Sequence, residues 1–316
     1  MAPLAAGDLA ALAGAVVLAA AGGEAFLKGV LGVAGWLRVP KLLVATTLAA
    51  FATSSPELTV SVTAALAGKP EIGLGDALGS NVVNIALIFG LALLFGPIRV
   101  ARNELGRDFA LALMVPLVTL MMALDGAISR LEGGLLLLIF GGWISLAIRA
   151  GWAARAPSSP TKDTVRHGVA LLLGLAGLAA LILAGHLFVS GASGIAAAFG
   201  VSAYVIGATV VAVGTSLPEL VTVLLARLRG HDEIGVGTLL GSNLFNGMAI
   251  VGVAASIHPI QAPLVGLAVA IVFGLVAVLL MIPGRAEVIA PARGVALLCV
   301  YAAFVWATLA TVQAVL

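Results

Sequence analysis

Two glutamates carry the strongest chemical signal in this sequence. Glu57 closes the run Thr53-Ser54-Ser55-Pro56-Glu57, and Glu219 closes Thr215-Ser216-Leu217-Pro218-Glu219. Each lies inside an apolar stretch, where an ionised carboxylate costs roughly 2.5–3.5 kcal/mol or more at mid-bilayer. No Lys or Arg stands three or four residues from either one, so pairing along one helix is excluded. Lys28 is the one candidate partner across helices. The Pro before each glutamate lacks a backbone donor and clashes with the preceding turn. A helix break is expected there, freeing carbonyls such as those of Ala50 and Ala212, with Ser or Thr capping the half-helix that restarts. Irregular backbone at membrane depth is tolerated only where it lines a cavity or is buried in protein. Carboxylate, hydroxyl and carbonyl oxygens are hard ligands, suited to Ca²⁺ and Na⁺ rather than to zinc or copper.

A second motif supplies more oxygens. Gly79–Asn84 reads GSNVVN and Gly241–Asn246 reads GSNLFN. On an α-helix Ser80 and Asn84 share one face, as do Ser242 and Asn246. Asn81 and Asn243 point elsewhere and read as hydrogen-bonding residues between helices. Gly79 and Gly241 allow close approach of a neighbouring backbone. Lesser polar residues are expected mostly in structural roles: Asp76 at an interfacial position or else as a vestibule charge, Glu24 and Lys28 as a pair one helical turn apart, and His186 and Ser190 as satisfied side chains. His167, His231 and His258 lie near helix ends without ligand spacing.

Every matched position in the two halves, Glu57 with Glu219 and Asn84 with Asn246 among them, is separated by 162 residues without a gap. Chance likeness between apolar helices would repeat Leu and Ala, not Thr, Ser, Pro, Glu and Asn. The chain therefore contains a duplication.

The elements that must hold these residues follow from composition. Of 316 residues 62% are hydrophobic and 9% charged, too few charges to cover a soluble fold. Net charge is +2 from 16 Lys and Arg against 14 Asp and Glu, which leaves no basic patch for nucleic acid. The single Cys299 excludes a disulfide framework and a cysteine-based zinc site. No phosphate-binding glycine loop points to an ATP-driven pump. Charge-free stretches long enough to span a bilayer, from an opening helix near Asp8–Gly35 to a closing one near Ala290–Val315, give ten predicted spans. No Lys or Arg precedes the opening apolar stretch, so it does not read as a cleaved leader. Turn signals at Phe199–Ser202 and Ser256–Pro259 divide the two longest stretches. With both termini outside, most Lys and Arg fall in cytoplasmic loops, leaving Lys69 and Arg130 outside, as the positive-inside rule requires. Five spans separate equivalent positions, so the second copy enters from the opposite side. The expected fold is an all-α membrane protein of two inverted five-helix repeats, 1–152 and 164–316, joined by a short cytoplasmic linker at 153–163. Inverted repeats of this kind are a transporter architecture with the site at the repeat interface.

The paired TSSPE/TSLPE and GSNVVN/GSNLFN segments resemble the two alpha repeats of the cation/Ca²⁺ exchanger superfamily, and within it the prokaryotic sodium/calcium exchangers. The resemblance covers the whole chain. It implies that Glu57 and Glu219 are the shared carboxylates of a central Ca²⁺ site alternately occupied by Na⁺. Thr53, Ser54, Ser80 and Asn84, with Thr215, Ser216, Ser242 and Asn246, match the family's other coordinating positions, as do the carbonyls of Ala50 and Ala212. Two departures stand out: Ala52 replaces a common Gly, and Asn246 stands where some relatives carry Asp. What is expected is secondary active Na⁺/Ca²⁺ antiport in the cytoplasmic membrane. Ca²⁺ and Na⁺ are its substrates and the bilayer its surroundings, with no cofactor, nucleic acid or evident protein partner. H⁺ or K⁺ coupling, another divalent cation, or more remotely an intramembrane enzyme, stay open at this point.

Overall fold

The computed structural model describes residues 6–100, 102–154, 167–198, 212–262 and 264–313. The expected turn at Phe199–Ser202 and most of the expected linker, from Arg155 on, lie outside these residues; Ala153, the linker's expected start, closes a helix instead.

In chain order the helices are α1 (Ala6–Leu37), α2 (Lys41–Thr53), α3 (Ser55–Leu66), α4 (Pro70–Leu94), α5 (Arg102–Met122), α6 (Arg130–Ala153) and α7 (His167–Ala198). They continue as α8 (Ala212–Thr215), α9 (Leu217–Leu228), α10 (Asp232–Ile257), α11 (Leu264–Met281) and α12 (Pro291–Gln313). Among the described residues, eight helices are long and apolar enough to cross a membrane. The two other expected spans are interrupted segments, α2–α3 and the part of α8–α9 that is described. Local sequence sets the ends. Ser129 Oγ accepts the Glu132 N–H while Glu132 Oε2 accepts the Ser129 N–H, a capping box that starts α6.

Burial sorts the helices into a centre and a rim. Within its most apolar window α4 is 78% buried and α10 83%, against 11–33% for the other six. These two helices carry the asparagines, and polar side chains are costly against lipid. Leu239, Leu240, Leu244 and Met248 of α10 pack with Ile85, Ile88 and Phe89 of α4 in one apolar cluster. Both helices loosen into π-helix at the same repeat position, over Val83–Phe89 and Phe245–Ile250. Single-turn π segments of this kind gather at functional sites. Asn84 and Asn246 each stand second in their segment.

The opening helices α1 and α7 are 32 residues each, about 48 Å at 1.5 Å per residue, against a hydrocarbon layer of about 30 Å. A helix that long crosses only by tilting. The pair pack antiparallel and at close range: a Cβ on Gly29 would strike the backbone of Gly174, which is the small-residue contact expected between membrane helices.

Four two-residue strands complete the fold: β1 (Ile98–Arg99), β2 (Ala127–Ile128), β3 (Ile260–Gln261) and β4 (Val288–Ile289). Ile98 pairs with Ile289, and Ile128 with Ile260, both antiparallel. The bonds Val100 N–H to Glu287 O and Ala262 N–H to Gly126 O, each 2.9 Å, extend the two ribbons alike. Each ribbon thus joins a strand of one half to a strand of the other. β1 follows α4 and β3 follows α10, yet they join different ribbons.

Candidate cation site

The breaks before the glutamates are sharper than expected. A single residue leaves helical geometry in each: Ser54 at φ −86°, ψ 11° and Ser216 at φ −86°, ψ 13°. Pro56 and Pro218 then sit in the first turn of α3 and α9, where a missing donor is harmless. Two expectations are corrected here. The Ala50 carbonyl is not freed, because it accepts the Ser54 N–H at 3.0 Å. Pro56 instead deprives the Ala52 carbonyl four residues back, and the Ser55 hydroxyl donates to it at 2.7 Å. Nor do Ser54 and Ser216 cap their helices through the side chain. That leaves both hydroxyls available elsewhere.

Ser54 Oγ donates to Glu219 Oε1 at 3.2 Å, joining the first break to the carboxylate of the second half. Ser242 Oγ of α10 lies 3.3 Å from the same oxygen, 3.4 Å from Thr53 Oγ1 and 3.5 Å from the Ala50 carbonyl. Thr53, Ser54, Glu57, Asn84, Ser216, Glu219, Ser242 and Asn246 are all at most 1% exposed, and Ser80 is 3% exposed. Thr215, which ends α8, is half-buried. Of Ala212 only the backbone is described, as the first residue of α8. The close approach expected of glycine is seen at Gly241, where a Cβ would collide with the Thr46 carbonyl. The repeat equivalent of Thr46, residue 208, lies outside the described residues.

Behind these groups four asparagines form a two-fold pattern. Asn81 Nδ2 donates to the Asn243 carbonyl at 3.3 Å, and Asn243 Nδ2 to the Asn81 carbonyl at 3.1 Å. Asn84 Nδ2 donates to Asn243 Oδ1 at 3.0 Å, and Asn246 Nδ2 to Asn81 Oδ1 at 3.2 Å. The bonding role read for Asn81 and Asn243 is therefore present, and it orients Asn84 and Asn246. With each NH₂ turned to its neighbour, each amide oxygen faces away. The simple i, i+4 face shared by Ser80 and Asn84 needs amending, since the helix is π from Val83 onward.

Among the described residues, Glu57 Oε2, Glu219 Oε2, Asn84 Oδ1, Asn246 Oδ1 and Ser216 Oγ are buried oxygens with no hydrogen-bond partner. Buried polar atoms are almost always paired, so five unpaired oxygens among the matched motif positions form a set that a cation would satisfy. Glu57 also interacts electrostatically with Glu219. Lys28 is not a partner to either, being paired with Glu24 at 3.2 Å. Glu24 in turn binds Arg229 at 2.8 Å. His186 and Ser190 are exposed, away from the cluster.

Sequence reasoning passed over Ser61, Thr222 and Thr238, which are fully buried and whose hydroxyls have no hydrogen-bond partner among the described residues. Their helical spacing from Glu57, Glu219 and Ser242 was the available signal: Ser61 is four residues past Glu57, and Thr238 four before Ser242. Asp76 is partly exposed, and among the described residues its Oδ2 is buried with no hydrogen-bond partner.

Comparison with known proteins matches this geometry to a family. The family model described as sodium/calcium exchanger protein matches residues 8–149 and, again, 169–310. CaxA of Alkalimonas amylolytica is 36% identical over 249 residues, spanning 75% of this chain and 76% of its own. Inner membrane protein YrbG of Escherichia coli (strain K12) is 34% identical over 233 residues, 70% of this chain and 71% of its own. The solved structure of a sodium/calcium exchanger from Methanococcus jannaschii superposes with a TM-score of 0.81 at 28% identity, covering 95% of this chain and 97% of that one. A family match over both halves, an all-helical membrane fold and the duplicated glutamate motifs agree: this chain belongs to the sodium/calcium exchanger protein family.

Proposed function

We propose that this protein exchanges Na⁺ for Ca²⁺ across the cytoplasmic membrane by alternating access. The observation that carries the reading is the set of buried, unpartnered oxygens contributed by both halves: Glu57, Glu219, Asn84, Asn246 and Ser216. Two carboxylates balance one Ca²⁺ in charge, and neutral amide and hydroxyl oxygens complete a flexible oxygen shell of the kind Ca²⁺ accepts. Thr53, Ser54, Ser80, Thr215 and Ser242 complete the proposed coordination set, with the carbonyls of Ala50 and Ala212. Na⁺ competes for the same oxygens. An empty, doubly charged site in hydrocarbon is costly to translocate, which favours exchange over leak.

The halves 1–152 and 164–316 act as inverted repeats around this site. α1 and α7, packed on one another and longer than the bilayer is thick, are the elements that slide over the remaining helices. The charge bias of the loops places both termini outside, and the likeness to an inner membrane protein supports the cytoplasmic membrane as the location. Proteoliposomes decide the matter. Ca²⁺ uptake must rise with an outward Na⁺ gradient and reverse with an inward one; uptake indifferent to Na⁺ rejects the coupling.

A further inference from the structure

We propose that Asp76, Ser61 and the free oxygen of Glu57 form an additional Na⁺ subsite, beside the central cage on its side toward the α3–α4 turn. Glu57 and Ser61 are one turn apart on α3 and share a face. That face meets α4 at Gly73, where an added Cβ would strike the Ser61 side chain. Because the two helices run antiparallel, Asp76, one turn beyond Gly73, stands nearly level with Glu57. The two carboxylates interact electrostatically. Three oxygens here are buried and, among the described residues, have no hydrogen-bond partner: Glu57 Oε2, Ser61 Oγ and Asp76 Oδ2. Glu57 is 1% exposed and Ser61 0%, and among the described residues no Lys, Arg or His lies within ion-pair distance of Asp76.

The arrangement is one-sided. At the repeat-equivalent positions Ser61 becomes Val223, which faces Gly235 in the same way, and Asp76 becomes Thr238. The second half therefore lacks both the charge and the facing hydroxyl, so the feature is not a by-product of duplication. Charge selects the ion. Ca²⁺ in the central cage matches Glu57 and Glu219 and leaves the single charge of Asp76, which one Na⁺ neutralises. Asp76 keeps partial exposure, so the subsite is open to an arriving ion.

This proposal rests on the central cage being the exchange site, and the two fail separately. In proteoliposomes of the full chain, Asp76→Asn should raise the Na⁺ concentration for half-maximal Ca²⁺ release about tenfold and lower its cooperativity. Its Ca²⁺ binding without Na⁺ should stay within about twofold of the parent. Ser61→Ala, which removes a hydroxyl and no packing volume of consequence, should shift Na⁺ dependence in the same direction by less. Radioactive Na⁺ bound to the purified protein at saturation should fall by one ion in Asp76→Asn. Unchanged Na⁺ dependence in both variants, or an equal loss of Na⁺-free Ca²⁺ binding, overturns the subsite. Ca²⁺ exchange that survives Glu57→Gln overturns the cage instead.

Discussion

Asn81 and Asn243 each donate a side-chain amide to the other's backbone carbonyl, at 3.3 and 3.1 Å, across the axis that relates the two halves. The pair locks α4 to α10 and turns the amide oxygens of Asn84 and Asn246 away from itself. Removing either asparagine therefore acts on stability and on the cage together. Asn243→Ala is expected to lower stability by about 1–2 kcal/mol, the upper part of the range for hydrogen bonds between membrane helices, and to weaken Ca²⁺ binding through Asn84. The double variant with Asn81→Ala should cost about the sum of the singles, because each side chain bonds the other residue's backbone carbonyl, which alanine keeps. Thermal unfolding in detergent and Ca²⁺ titration read the two effects.

Glu57→Gln and Glu219→Gln should each abolish Ca²⁺ exchange while leaving the fold intact. Neither carboxylate has a basic partner among the described residues, so neutralising it removes a buried charge without stranding another. An unfolding midpoint equal to or above that of the parent, alongside lost uptake, is the expected combination. A fall in both would mark these residues as structural.

Gly241→Val tests the tight seat of α10 on α2. A Cβ at this position already collides with the Thr46 carbonyl, which is backbone and cannot rotate away. Overpacking of this kind costs about 1–3 kcal/mol. The expected result is a lower yield of folded protein, with residual exchange reduced through displacement of Ala50 and Thr53.

Arg229 and Glu24 join α1 to the end of α9 at 2.8 Å, in a pair that is 58% and 29% exposed. Exposed pairs contribute about 0–1 kcal/mol, so Arg229→Ala should barely change the unfolding midpoint. If α1 slides against α9 during exchange, the pair must break and reform, and its loss should alter the turnover rate more than the half-saturating Ca²⁺ concentration. An effect confined to Ca²⁺ affinity would count against a moving α1.

Cysteines at Ala127 and Gln261, cross-strand partners in the ribbon of β2 and β3, should form a disulfide, since paired Cα atoms lie about 4.5–5.5 Å apart in antiparallel strands. If the helices joined by these ribbons form the still part of the machine, oxidised protein should exchange at the parent rate. Inhibition reversed by reductant would show that this end moves.

Much of the molecule was legible in the sequence because lipid simplifies the rules. Apolar length gave the long helices, and the duplicated Thr-Ser-x-Pro-Glu runs marked two carboxylates that the fold buries. Helical spacing from the second motif then supplied Asn84 and Asn246. What failed were arguments that depend on hydrogen-bond competition. Proline was expected to bare Ala50, but the loss falls on Ala52 and is made good by Ser55. Ser54 was expected to cap its helix, but its hydroxyl donates to Glu219 of the other half instead. The π segments at Val83–Phe89 and Phe245–Ile250 have no periodic signature that distinguishes them from α-helix.

The two small ribbons constrain how such a protein can be assembled. Each strand of one half finds its mate only in the other half, at opposite ends of the molecule, so a half-length chain alone would present two bare backbone edges.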